Sequence, residues 1–174
     1  MDTHSMTFND NTFDIVSISN TLHHLAPPNN LLAEIKRVLK PNGLLLVIEL
    51  YHDNQSEKQE THVLQHHFRA EIDTRNNIFH GFTFKRSEIV DFLKAQHLQT
   101  IDVFDFSDTK RMNSSNPKYL DTVIDGIKNA IQQTTNFTDS EDFQTRGNQI
   151  LARIASTGFM MPKQLVALCK FENE

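Results

Sequence analysis

Two histidines four residues apart, His62 and His66, fall on one face of any helix that carries them. A neutral imidazole pair at that spacing is half of a zinc site. Glu60, His67 and His80 lie nearby in sequence, but the HExxH arrangement is absent and the single cysteine, Cys169, sits in a distant apolar run. No metal is therefore expected, and His62 and His66 stand as weak candidates only. Arg146 and Arg153 read as a solvated face with a secondary role against an acidic ligand, and Phe79, Phe82 and Phe84 as a core wall. The five glycines, Gly43, Gly81, Gly126, Gly147 and Gly158, are never closer than eleven residues. No GxGxxG turn or P-loop can be built from them, so any nucleotide-like ligand must be held by another device.

Composition narrows the partners. The 174 residues are 38% hydrophobic and 22% charged, enough apolar material for one core. Seventeen basic against 22 acidic residues give a net charge of −5, and no basic stripe is present to neutralise phosphates. Nucleic acid is not an expected partner. The longest apolar run, Leu44–Leu50, contains Glu49 and is far short of a membrane span, which needs about 20 apolar residues. With one cysteine and no secretory pattern in the opening residues, a cytoplasmic protein is expected.

The elements follow from periodicity. Residues 13–19, β-branched and half-alternating, predict a strand that stops at Asn20. A Pro-Pro-Asn-Asn turn then leads into a helix carrying Leu31, Leu32, Ile35, Val38 and Leu39 on one face, broken by Lys40-Pro41-Asn42-Gly43. Residues 44–48 form a continuous apolar run, the pattern of a parallel strand buried on both faces. Strand, helix and strand make a βαβ unit with a right-handed crossover. Further on, helices are predicted over 57–73, over 88–96 behind Ser87 as N-cap, along Tyr119–Ile131 and around 147–156 with Gly158 as stop. Strands are predicted over 100–106 and 164–171. No repeat or linker interrupts the chain, which reads as one domain with a helical insertion or lid over 108–160.

The opening stretch closely resembles the second half of a class I S-adenosylmethionine-dependent methyltransferase of the type 11 kind. The likeness rests on Asp2 followed by Phe8 and Phe13-Asp14, on a strand ending in Asn20 with Leu22-His23-His24-Leu25 after it, and on a helix ending Leu39-Lys40-Pro41-Asn42-Gly43 before a Leu-Val strand. Three such elements in order and spacing are specific. Beyond Leu50 the likeness is looser.

The resemblance implies an α/β fold, a partial Rossmann-like sheet holding strands four, five, six and seven of the order 3-2-1-4-5-7-6, the last strand antiparallel. It implies S-adenosylmethionine as cofactor and a small-molecule methyl acceptor. Asp2 matches the position facing the adenine amino group, with Thr3 beside it; Ser19 and Asn20 match the end of strand four facing the methionine portion; His24 matches a residue lining the active-site loop. A carboxylate such as Asp2 suits an exocyclic amine, and Asn20 lies where ligands of open α/β sheets sit. The glycine-rich loop of the family has no counterpart here, so the chain is expected to be a truncated enzyme, about two-thirds of the fold, impaired on its own. The alternative is a non-catalytic interaction module, or half of a split enzyme, pairing as a dimer or with an N-terminal half through the exposed edge of residues 13–19.

Overall fold

The computed structural model describes residues 5–25, 30–110 and 112–172, with only the backbone of Asn30. The order of elements is β1 (Phe13–Ser19), a 3-10 turn (Leu22–His24), α1 (Asn30–Val38), β2 (Leu39–Leu50), α2 (Glu57–Arg75), α3 (Arg86–Ala95), β3 (Leu98–Phe106), α4 (Pro117–Gln133), α5 (Ser140–Thr157) and β4 (Gln164–Phe171). The chain divides into two compact units. One comprises the residues up to Tyr51, Phe84–Phe106 and those from Gln164 on; the other comprises His52–Thr83 and Ser107–Lys163. The predicted insertion over 108–160 falls in the second unit, which α2 also joins.

The first unit is a four-stranded sheet in the order β1-β2-β4-β3. β1 and β2 run parallel, joined through α1, and β4 lies antiparallel to both β2 and β3. This is the strand order and the antiparallel last strand that the resemblance implies. Ile18, Leu45, Val47, Leu165 and Ala167 project from one face into a core closed by Leu32 and Ile35 of α1 and Ile89 and Leu93 of α3. That period of two along β2 and β4 and three to four along the helices is what binary patterning requires of a sheet packed on helices. β3 differs: beyond Leu98 every residue is exposed, including Ile101, Val103, Phe104 and Phe106.

Two boundaries differ from the sequence reading. The breaker cluster 40–43 does not separate α1 from β2 but lies inside β2, as an irregularity where pairing jumps from Phe13↔Leu39 to Ile15↔Leu44. Gly43 permits it, since a Cβ there would come 2.9 Å from the Lys40 carbonyl oxygen. The N-cap of α3 is Lys85 rather than Ser87, because the Glu88 carboxylate reaches back to accept the Lys85 N–H at 2.7 Å.

The second unit packs α2, α4 and α5 around Phe68, Ile72, Ile127, Phe143, Ile150 and Phe159. α5 starts at Ser140, a full two turns before the predicted start, with Glu141 and Asp142 in its positive first turn. Arg75 of α2 holds Asp139, the residue preceding α5, through two nitrogens at 2.5 and 2.7 Å. Among the described residues no helix is long and apolar enough to cross a membrane.

Candidate functional site

At the carboxyl ends of β1 and β2 the backbone turns sharply. Asn20 takes a left-handed conformation, φ 49°, which Asn tolerates better than other non-glycine residues. Its N–H still donates to the Ile48 carbonyl at 2.8 Å, continuing the ladder, and its side-chain Oδ1 accepts from Gln164 Nε2 at 2.8 Å. Because β4 runs antiparallel, its first residue stands beside the last residues of β1 and β2. Gln164 therefore orients the Asn20 amide and leaves its Nδ2 to donate elsewhere. Ser19 is exposed next to it, and Thr21 Oγ1 donates to the Ser19 carbonyl at 2.8 Å.

Beneath this turn lies Glu49, a carboxylate with no exposed surface. It accepts from the Leu22 N–H at 2.7 Å, the Leu50 N–H at 2.8 Å and His23 Nδ1 at 2.9 Å. Burying a carboxylate is costly unless donors replace water, and three N–H groups do so here. The carboxylate also sets the His23 tautomer, with the proton on Nδ1. The consequence is a pinned 3-10 turn. His23 is buried, while His24 is exposed with its ring tilted on that of His23, centroids 4.3 Å apart.

The segment leading into β1 is anchored to α1. Arg37 donates from Nη1 to the Phe8 carbonyl at 2.8 Å and to Asp10 at 2.7 Å, and from Nη2 to the Met6 carbonyl at 3.1 Å. Glu34 accepts from the Met6 N–H at 2.9 Å, and the Arg37 guanidinium against it holds its carboxyl down at about 2. Asp2 and Thr3 lie just upstream, outside the described residues.

The structure thus brings Ser19, Asn20 and His24 to one strand end, the place expected for a ligand of an open α/β sheet. It adds Glu49, His23 and Gln164, which sequence reasoning did not single out as site residues. Glu49 shows in the sequence only as one acid interrupting an apolar strand, and Gln164 has no local signal at all.

His62 and His66 do not form a shared centre. His62 stacks on Phe159, ring centroids 4.6 Å apart at 19°, and burial pushes its imidazole down to about 4, against the weaker opposing pull of the Met160 backbone. His66 instead meets His80, Nε2 to Nε2 at 3.3 Å. Neither His62 nor His66 belongs to a group of three potential metal ligands among the described residues. Arg146 is engaged by Glu71 and Asp142, and Arg153 by Thr61 and Glu60, within the second unit.

Known proteins resemble this chain in fold and in its opening stretch. A family model described as a methyltransferase domain matches residues 1–47. The ubiquinone/menaquinone biosynthesis C-methyltransferase UbiE of Hydrogenovibrio crunogenus is 49% identical over 45 residues, which is 26% of this chain and 18% of that protein. The match thus spans less than a fifth of that relative. Among solved structures, a Bacillus halodurans protein described as a methyltransferase aligns with a TM-score of 0.55 and 14% identity, over 99% of this chain and 70% of the other. An S-adenosylmethionine-dependent methyltransferase from Methanosarcina mazei aligns with a TM-score of 0.52 and 14% identity, over 100% of this chain and 66% of the other. At such identities the structural likeness defines the fold.

Proposed function

We propose that this chain, which carries the fold and the N-terminal signature of the class I S-adenosylmethionine-dependent methyltransferases, contributes the β1 and β2 half of a cofactor and acceptor site for transfer of a methyl group to a small molecule. The carrying observation is the pinned turn at the end of β1: Asn20 in its left-handed conformation, oriented by Gln164, beside exposed Ser19. Hydroxyl and amide groups there suit the polar methionine end of S-adenosylmethionine, and the Asp2 carboxylate suits an adenine amino group. When bound, the cofactor supplies an electrophilic methyl group on a sulfonium. What the chain supplies is placement, which in such displacements is most of the catalysis. Glu49 and His23 keep the turn from moving, and His24 is the titratable side chain offered to an acceptor from that turn. The glycines stand too far apart for a close-approach turn, so this chain alone should hold the cofactor weakly.

Titration calorimetry with S-adenosylmethionine tests the reading. Binding should weaken about tenfold in Asn20→Ala, the loss of roughly one charge-assisted hydrogen bond. Equal heats for the parent, Asn20→Ala and Ser19→Ala would overturn it.

A second reading rests on a separate observation. Among the described residues β1 hydrogen-bonds to β2 on one side only, and Ile15 is 57% exposed on it, although parallel strands are normally covered on both faces. Such an edge accepts a further strand, from a complementary half or a second copy. Sedimentation equilibrium should then show association that Ile15→Lys abolishes. A parent that stays monomeric at high micromolar concentration would sink this second reading.

A further inference from the structure

Within the second unit, α2 and α5 turn matching faces toward one cavity. On α2 that face carries Leu64, Phe68 and Glu71, at intervals of four and three; on α5 it carries Arg146, Gln149, Ile150 and Arg153, at i, i+3, i+4 and i+7. The cavity they line holds about 350 Å³ and is open to solvent. Of its apolar lining, Phe68 and Ile150 are buried, but Leu64 and Phe82 are 47% and 53% exposed. Phe82 is nonetheless held in place. Its ring stacks on that of His67, centroids 4.5 Å apart at 24°, and the next residue, Thr83, donates its N–H to His67 Nε2 at 3.2 Å. Large apolar side chains open to water yet fixed by their neighbours, with a few polar groups beside them, are the make-up of a preformed ligand site.

We propose that this cavity binds a small aromatic or apolar carboxylate, with its body against Leu64 and Phe82 and its charged group on Arg146 and Arg153. The state of the two guanidinium groups decides the ligand class. Arg146 donates from Nε to Asp142 at 2.8 Å and from Nη1 to both Glu71 oxygens at 3.1 and 2.9 Å, and its Cζ lies 4.5 Å from the centroid of the Phe143 ring. Arg153 donates from Nε to Thr61 Oγ1 at 3.1 Å, and from Nη2 to the Glu57 carbonyl at 3.4 Å and to Glu60 at 3.3 Å. These partners fix each guanidinium but use only part of its fork. Among the described residues, Arg146 Nη2, Arg153 Nη1 and the Gln149 amide make no hydrogen bond. The charge count agrees. His67 is neutral where its Nε2 accepts the Thr83 N–H, so two arginines against one carboxylate, Glu71, leave the lining with a single positive charge in excess. Asp142 and Glu60 stand outside the lining with side chains 60% and 52% exposed, where water screens them. A monoanion matches that balance, and arginine forks suit a carboxylate.

The test uses 2-naphthoate, titrated into the full chain at neutral pH without S-adenosylmethionine, so its outcome is separate from cofactor binding. The chain has no tryptophan, and the anisotropy of the naphthoate fluorescence reports binding directly. One molecule per chain is expected. Arg146→Gln and Arg153→Gln should each weaken binding about tenfold, the loss of a charge-assisted hydrogen bond, and Phe82→Ala about five- to tenfold through lost apolar contact. Lys128→Gln, which removes a positive charge from α4, should leave the affinity as in the parent, and the uncharged methyl ester of the probe should bind at least tenfold more weakly. Because Arg146 also packs on Phe143, a measurement on the unaltered chain accompanies the variants: nuclear Overhauser contacts from the naphthyl protons should reach the Phe82 ring and the Leu64 methyls. No saturable binding below millimolar naphthoate, an ester that binds as tightly as the acid, equal losses in Lys128→Gln and the arginine variants, or contacts centred on other residues would each overturn the assignment. So would naphthoate binding that weakens as the chain concentration rises, since a second copy would then be the occupant.

Discussion

At the scale of single residues, what was legible depended on whether a group's partner lies close in sequence. Asn20 is marked by its position at the end of a β-branched run, and Ser19 beside it. Glu49 is not, because its partners Leu22 and His23 are 27 and 26 residues away. The His62–His66 spacing was visible, yet spacing says nothing of what else approaches each ring; Phe159 takes one and His80 the other. The burial of His62 has a measurable consequence. Its imidazole titrates near 4 in the folded chain and near 6.5 when unfolded. Between those values the unfolded chain binds a proton that the folded chain refuses, so stability falls as the pH drops from 6.5 toward 4 and this contribution levels off below. The full shift corresponds to about 3–4 kcal/mol, of which about 2–3 kcal/mol is lost between pH 7 and pH 4.5. His62→Phe keeps a ring on Phe159 and removes the proton, so urea denaturation at pH 7 and pH 4.5 should show the parent losing about that much more stability than the variant.

At the scale of elements, strand ends and helix faces were legible where local signals act alone. β1 and β4 run over the ranges that alternation and apolar run length indicate. Where pairing or packing decides, local signals mislead: the Lys40–Gly43 cluster looks like a stop but is absorbed into β2 by pairing with β1. Helix glycines show the same limit, since sequence alone treats Gly126 of α4 and Gly147 of α5 alike. The structure separates them. A Cβ on Gly126 would meet nothing within 4 Å, whereas one on Gly147 would sit on the Ile131 side chain, 2.7 Å from its Cδ1, and 3.2 Å from the Phe68 ring. Gly126→Ala should therefore stabilise by about 0.5–1 kcal/mol through helix propensity. Gly147→Ala gains the same propensity but overpacks the α4–α5 contact, and a net loss of roughly 1–2 kcal/mol is expected. Paired denaturant midpoints check both, and a stabilising Gly147→Ala would show that Ile131 yields without cost.

At the scale of the whole molecule, composition described a chain with enough apolar residues for one core, but not where those residues go. Two compact units each gather a core, and a sizeable apolar remainder stays outside both. β3 carries Ile101, Val103, Phe104 and Phe106 at exposures of 39–50%, on an edge strand whose outer backbone groups have no strand partner among the described residues. Edge strands of this kind pair with other chains unless charge keeps them apart. Asp102 and Asp105 supply some charge, and the molecule as a whole carries −5 at pH 7, but with an isoelectric point near 6.0 that protection vanishes just below neutrality. Light scattering should therefore rise to a maximum near pH 6 and fall by pH 8, where like-charge repulsion returns. Phe104→Glu places a charge on the edge and adds to the net negative charge, so it should flatten that maximum. The same variant separates the two edges. Association at pH 8 that survives Phe104→Glu but not Ile15→Lys belongs to β1 and to strand completion, whereas association confined to pH 6 and removed by Phe104→Glu belongs to β3 and is self-adhesion of an uncovered strand.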